Sequence, residues 1–150
     1  MLENLEPKSV FSFFEEIDQI PRGSGNTQKI SDYLAEFAKK RNLFYIQDTL
    51  GNVIIKKDGT AGMEEKEPVI IQGHMDMVAV KEPDCENNME PEGLDLAVQG
   101  DYVYAKGTSL GADDGIAVAY ALALLDSKDI PHPPLEVIIT VDEETGMFGA

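Results

Sequence analysis

Basic residues are scarce in this sequence, and their scarcity excludes several classes of function. Lys and Arg number 12 against 28 Asp and Glu, which gives a formal charge of −16. Nucleic acids and anionic membranes are polyanions, so this balance disfavours both as partners. Acidity alone identifies no partner, because an acidic surface is also a common means of solubility.

Long apolar runs and paired cysteines are missing as well. No apolar run approaches the length of a membrane span, and residues 1–6 show neither the basic region nor the apolar core of a signal peptide. The single cysteine, Cys85, cannot form a disulfide within the chain, so we expect a cytoplasmic location. Cys85 lies among acidic residues, which disfavour the thiolate, and we do not interpret it as a nucleophile.

Helical and strand patterns alternate along the 150 residues, of which 43% are hydrophobic. Apolar residues recur at helical spacing after Pro7, and again after Asn26, which can cap a second helix. Two short β segments, residues 43–49 and 53–57, are separated by Gly-Asn and predict a hairpin. Such a chain is expected to fold as one domain with its own core.

The second half of the chain is more apolar. Residues 68–72 and 135–141 are continuous apolar runs, which predict strands buried on both faces. Residues 115–125 are apolar on every side and predict a helix buried against a sheet. The acidic residues 81–100 indicate a long surface loop, followed by a short strand at 102–105. Together these elements predict the α/β class, with a mixed, largely buried sheet flanked by helices.

Polar side chains follow the two apolar runs and precede the apolar helix. Three sequence-distant segments carry one imidazole and six carboxylates that could converge: His74, Asp76, Asp113, Asp114, Asp142, Glu143 and Glu144. Each segment alone is explained more simply as a surface pair, a helix cap or a solvated acidic loop. Their common placement favours a site, because ligands bind beyond the carboxyl ends of strands and buried carboxylates are costly without a cation.

The spacing of His74 and Asp76 suits a metal ligand with a supporting carboxylate. Residues two apart on a strand share a face, so Asp76 can hydrogen-bond one imidazole nitrogen while the other binds a metal. Imidazole and carboxylate donors suit Zn, Mn or Co, and a two-metal hydrolase uses such a set. Glu143 and Glu144 could serve as base and ligand if the chain bends after Val141, because adjacent strand residues face opposite ways.

Two other functions use the same carboxylates. A non-catalytic acidic metal-binding module would use them for solubility or for loose Ca²⁺ binding, but calcium takes oxygen ligands and does not need His74. Glycoside hydrolysis by two carboxylates also gives His74 no role, and we rank it last.

Three motifs contain the polar segments, namely GHMDMV at 73–78, GTSLGADDGIAVA at 107–119 and VDEETGMFGA at 141–150. They resemble the metal-site motifs of aminoacyl-histidine dipeptidases, and the segments EIDQIPRGSGN and DTLGNVIIKKDG also fit. These are Xaa-His or carnosinase-like enzymes within the group of dinuclear zinc aminoacylases and carboxypeptidases. The resemblance implies hydrolysis of a small peptide, an Xaa-His dipeptide, by a metal-bridged hydroxide. It implies two divalent ions, zinc first, with cobalt and manganese as alternatives.

The resemblance also assigns roles to individual residues. It implies that the metal ligands are His74, Asp113 and Glu144, with Asp113 bridging the two ions. It implies that Asp76 orients His74 and that Glu143 is the general base. A tripeptidase and an N-acyl amino acid deacylase belong to the same group and stay open as alternatives.

Further implications concern the backbone and the rest of the enzyme. The resemblance implies a cis peptide between Asp113 and Asp114. It implies that residues 1–150 are the N-terminal part of a metallopeptidase catalytic domain, with the rest of that domain and a lid domain outside this chain. A homodimer is compatible with the full-length enzyme, and we expect the isolated segment to be inactive. We interpret His132 as a surface turn residue, and we expect a helix to start near Thr145.

Overall fold

The computed structural model describes residue 2 and residues 4–149. In chain order its elements are α1 (Lys8–Asp18), α2 (Gln28–Lys40), β1 (Phe44–Gln47), β2 (Val53–Lys57), β3 (Val69–His74), β4 (Leu96–Gln99), β5 (Tyr102–Ala105), α3 (Ala112–Asp126), β6 (Leu135–Thr140) and a 3-10 turn (Glu143–Thr145). Four strands of this described part form a sheet in the order β1-β2-β6-β3, and β4 and β5 form a separate ribbon.

The sheet is mixed, as predicted. The hairpin strands β1 and β2 are antiparallel, and β2 is antiparallel to β6. β3 pairs with β6 in parallel, with Val69 opposite Leu135 and His74 opposite Thr140. The carboxyl ends of β3 and β6 therefore lie side by side, although more than sixty residues separate them in the sequence.

The core lies between the helices and one face of the sheet. The helical spacing predicted for α1 and α2 places their apolar side chains in this core, and α3 is apolar on all sides because it lies between α1 and β3. The apolar core residues from the helices and the sheet include Phe13, Phe14, Ile17, Ile30, Leu34, Phe37, Val53, Ile55, Leu122, Leu125, Val137 and Ile139. Their burial positions the start of α3 beside the end of β3.

The opposite face of the sheet is open, so the prediction of strands buried on both faces is wrong for 68–72 and 135–141. Ile70 is 61% exposed, and on the same face Phe44 and Ile46 are 58% and 46% exposed. Burial alternates along β6, as expected of a sheet covered on one side. A continuous apolar run could not reveal this, because it specifies no face.

Four local predictions also differ from the structure. Thr27, not Asn26, occupies the N-cap of α2, since the Asn26 side chain donates to the carbonyl of Glu90. The loop predicted at 81–100 ends in β4, where buried Leu96 anchors the ribbon. The helix expected near Thr145 is absent from the described residues, because the 3-10 turn ends there at Gly146. His132, which was predicted to be a surface turn residue, is buried, because its backbone carbonyl and N–H both form hydrogen bonds with Thr60.

Candidate metal centre

The parallel pairing of β3 and β6 brings the first two polar segments together. His74 is the last residue of β3, and the chain after β6 turns sharply at Asp142, which has a φ of 51°. This turn is the bend that Glu143 and Glu144 need if both are to face the same region. Glu143 Oε2 lies 3.9 Å from His74 Nε2, and the Glu143 side chain is 39% exposed.

The third segment arrives at the start of α3, where Asp113 and Asp114 depart from helical geometry. The peptide bond between them is cis, which confirms that implication of the resemblance. Asp113 Oδ1 lies 3.2 Å from His74 Nε2, and the Asp113 side chain is 86% exposed. Asp114 Oδ2 instead accepts the backbone N–H of His74 at 3.3 Å. A Cβ at Gly73 would lie 2.8 Å from that oxygen, so glycine there lets the Asp114 carboxylate approach the backbone closely.

The converging donors fit a divalent cation. Ligand atoms of His74, Asp113 and Glu144 all lie within 4.8 Å of one another. One imidazole nitrogen with carboxylate oxygens is a donor set that zinc, cobalt and manganese accept, whereas a structural zinc site would have more nitrogen or sulfur. The structure therefore brings together all the residues that the sequence singled out as ligands.

Asp76 is completely buried and joins two of the segments. His74 Nδ1 lies 3.1 Å from the Asp76 carbonyl oxygen and 3.2 Å from Oδ1. A carbonyl oxygen only accepts, so Nδ1 carries a proton, and Nε2, which faces the Asp113 carboxylate, is the nitrogen at which a cation could replace a proton. The Asp76 carboxylate also accepts the backbone N–H groups of Glu143 at 3.0 Å and Glu144 at 3.3 Å. The same carboxylate thus contacts His74 and the acidic turn, which is formed by residues 142–145.

The electrostatics of the centre favour positive charge. Burial, the largest single influence, lowers the pKa of His74, but the surrounding carboxylates of Asp76, Asp113, Asp114 and Glu143 outweigh it and raise that pKa. Burial is also the main reason that the pKa of Asp114 is raised. One imidazole supplies at most a single positive charge against these carboxylates, so the centre favours the binding of divalent cations.

Sequence reasoning missed several polar contacts around the centre. Ser24 Oγ donates to Asp76 Oδ2 at 2.7 Å, and the Gly25 N–H donates to Asp142 Oδ1 at 2.7 Å. Buried Arg22 donates to backbone carbonyls in the segments that carry His74 and Asp113. The only signal in the sequence was the segment EIDQIPRGSGN, which entered the resemblance without a role for any of its residues.

The profile of peptidase family M20/M25/M40 matches residues 70–150, the part that contains β3, α3, β6 and the acidic turn. The chain belongs to this family of peptidases. None of the helices in the described part of the chain is long and apolar enough to cross a membrane.

Individual relatives confirm the resemblance read from the motifs. The cytosol non-specific dipeptidase of Escherichia coli K12 is 39% identical over 149 residues, covering 99% of this chain and 31% of the relative. The crystal structure of aminoacylhistidine dipeptidase from Vibrio alginolyticus matches with a TM-score of 0.96 at 40% identity, covering 99% of this chain and 30% of that one. A Staphylococcus aureus tripeptidase matches with a TM-score of 0.73 at 27% identity, covering 93% of this chain and 37% of that one. The chain thus spans 30–37% of the length of these relatives.

Proposed function

We propose that the full-length protein is a cytoplasmic, metal-dependent dipeptidase that cleaves Xaa-His dipeptides. Two divalent ions would activate the attacking water, and zinc is the metal that we propose first. The observation that carries this proposal is the convergence of His74, Asp113 and Glu144 within 4.8 Å, with Glu143 beside them. The likeness to a cytosol dipeptidase and to an aminoacylhistidine dipeptidase supports the location and the substrate class.

Each residue of the centre has a role in this reaction. When bound, the two ions polarise the scissile carbonyl and lower the pKa of the attacking water. His74 and Glu144 would each hold one ion, and Asp113 would be a ligand of both. Glu143 accepts the proton of the water and passes it to the leaving amine. Its half-exposed carboxylate lies close to the ligands and is still accessible to a substrate.

Asp76 positions the other groups and stays out of contact with the substrate. Its carboxylate holds His74 in the tautomer that offers Nε2 to a metal. Through the amides of Glu143 and Glu144 it also fixes the turn that carries the base and the second ligand.

One alternative within the family has support of its own. The Staphylococcus aureus tripeptidase shares the fold at 27% identity, and the centre described here sets the chemistry of cleavage and not the length of the peptide. The N-acyl amino acid deacylase stays an alternative for the same reason.

The function is tested with the purified full-length protein and a panel of Xaa-His dipeptides, other dipeptides, tripeptides and N-acetyl amino acids. We expect the Xaa-His dipeptides to give the highest kcat/KM. Chelation should abolish this activity and added zinc should restore it, because the ligands alone supply no Lewis acid. Highest turnover of tripeptides or N-acetyl amino acids would select the corresponding alternative. Activity that survives complete metal removal would contradict the mechanism.

We also propose that residues 1–150 form the N-terminal part of the catalytic domain and that the remaining ligands and a lid domain belong to the rest of the enzyme, with which a homodimer is compatible. We accordingly expect the isolated segment to bind zinc weakly and to hydrolyse no dipeptide at a useful rate. The measurement is zinc titration and turnover of the purified segment, with circular dichroism to show that it is folded. Micromolar zinc affinity together with dipeptide turnover would contradict this expectation.

A further inference from the structure

A fourth segment, residues 22–25, offers no ligand to the centre and yet contacts all three segments that do. It runs beside the chain that follows β3, where the Ser24 N–H donates to the Met77 carbonyl at 3.2 Å and the Met77 N–H donates to the Arg22 carbonyl at 3.1 Å. These two bonds attach the segment directly behind His74 and Asp76. The role that we infer for residues 22–25 rests on the proposed function.

Arg22 joins two ligand-bearing segments from behind. Its side chain is buried, with 2% of the residue exposed. Nη1 donates to the carbonyl of Met75, the residue between His74 and Asp76, at 3.3 Å. Nη2 donates to the carbonyl of Gly111, two residues before Asp113, at 2.7 Å. A single rigid guanidinium thereby sets the distance between the end of β3 and the start of α3.

The backbone at the start of α3 packs closely against this guanidinium. A Cβ at Gly111 would lie 2.6 Å from Arg22 Nη2, and a Cβ at Gly115 would lie equally close at 2.6 Å. Gly111 also has a φ of 68°, which favours glycine. The glycines on either side of Asp113 and Asp114 thus allow the arginine to reach the carbonyl that it binds.

The buried ion pair between Arg22 and Asp18 is poorly explained as a contribution to folding stability. Nη2 donates to Asp18 Oδ1 at 2.7 Å, but Asp18 Oδ2 and Arg22 Nε have no hydrogen-bond partner among the described residues. Burial raises the pKa of Asp18 to about 6, even though the Arg22 charge opposes the rise. A buried ion pair with unsatisfied atoms contributes little or nothing to folding compared with apolar side chains, so its geometry is the feature that needs an explanation.

Ser24 connects the same segment to the acidic turn. Its hydroxyl donates to Asp76 Oδ2 at 2.7 Å, and the same carboxylate accepts the amides of Glu143 and Glu144. The next residue, Gly25, donates its N–H to Asp142 Oδ1 at 2.7 Å, at the point where the chain bends after β6. The segment therefore contacts the third ligand-bearing part of the chain directly through the Gly25 amide, and indirectly through Ser24 and the Asp76 carboxylate.

We propose that Arg22 and Ser24 are positioning residues of the metal centre. Arg22 holds the carbonyls of Met75 and Gly111 at a fixed separation, and Ser24 holds the Asp76 carboxylate in the orientation that supports His74 and the turn at Glu143. Neither side chain contacts a metal ion or the substrate.

Ser24→Ala in the full-length protein is the sharper test, because it removes one hydroxyl and leaves no buried charge unpaired. We expect zinc affinity, measured by competition with a chromophoric chelator, to fall about 10-fold. We expect the amides of Glu143 and Glu144 to exchange with deuterium about 5-fold faster in the metal-free protein, while the melting temperature changes little. Ser127→Ala is the matched control, because its hydroxyl accepts two amides at the opposite end of α3.

The outcomes separate this inference from the proposed function. If Ser24→Ala binds zinc like the wild type and its two amides exchange at the wild-type rate, the positioning role of Ser24 is overturned, while zinc-dependent turnover by the wild type leaves the proposed function intact. The exchange measurement needs no metal, so it reports on the inference even if the wild type binds no zinc.

Arg22→Lys tests the second positioning residue, because lysine keeps the charge beside Asp18 and loses the planar fork. We expect the cobalt-substituted variant to show a shifted visible spectrum and at least about 10-fold weaker zinc binding. A variant with a lower melting temperature, but with the wild-type cobalt spectrum and zinc affinity, would show that Arg22 only supports the fold.

Discussion

Glu143→Gln in the full-length enzyme is expected to retain both zinc ions and to lose about 10²–10⁴-fold in kcat, with little change in KM. Glutamine has nearly the same shape as glutamate, but it cannot accept a proton at neutral pH. The Glu143 carboxylate lies beside the ligands, 3.9 Å from His74 Nε2, and is 39% exposed, so it is close enough to serve the attacking water and open enough to reach the leaving amine. Steady-state kinetics and metal analysis of the same preparation give the result.

Glu67→Gln is the matched control for this substitution. Glu67 is exposed and precedes β3 at the end remote from the centre, so the same chemical change should leave kcat unaltered. If Glu143→Gln kept the wild-type kcat, the general base would have to be another group. If it lost zinc, Glu143 would be a ligand, and the roles of Glu143 and Glu144 would need to be exchanged.

His74→Ala is expected to reduce bound zinc from two ions per chain to one or fewer and to lower kcat/KM by more than about 10³-fold, because a metal ion contributes several kcal/mol to the transition state. Among the residues that the structure describes, His74 is the only histidine near the centre, and Asp113 and Glu144 cannot replace its nitrogen. The measurement is zinc content after dialysis together with hydrolysis of an Xaa-His dipeptide. Circular dichroism must show a folded chain, because the substitution leaves buried Asp76 without its imidazole partner.

The other histidine of this sequence provides the control. His132 is buried before β6, and His132→Ala should lower the melting temperature and leave the zinc content of the folded protein at the wild-type value. Unchanged zinc in His74→Ala would contradict the dinuclear centre and would favour the non-catalytic acidic module.

Much of the centre was accessible from the sequence because strand ends are easy to recognise. The apolar runs before His74 and Glu143 identified two carboxyl ends, and the apolar helix after Asp113 identified the third position. A general rule about ligand binding at α/β sheets then sufficed to predict convergence. The roles of individual residues came from the resemblance, since spacing alone does not distinguish a ligand from a base.

Other features depended on tertiary packing that one-dimensional patterns do not contain. The run at 68–72 gave no sign that Ile70 would face an open side of the sheet. The ribbon strand Leu96–Gln99 was hidden in an acidic segment, because a single buried leucine anchors it. The two contacts of Arg22 with the ligand-bearing segments end on backbone carbonyls, which every residue possesses, so no pattern of side chains could have indicated them.

The parallel register of β3 and β6 has a consequence for how such a centre can change over evolution. Successive side chains of a strand alternate between faces, so the gain or loss of one residue within β3 would turn the imidazole at its end toward the open side and away from the carboxylates. One-residue insertions and deletions in this strand are therefore incompatible with metal binding, whereas the loop of residues 84–92, which contains none of the proposed ligands or their supporting residues, can lengthen or shorten.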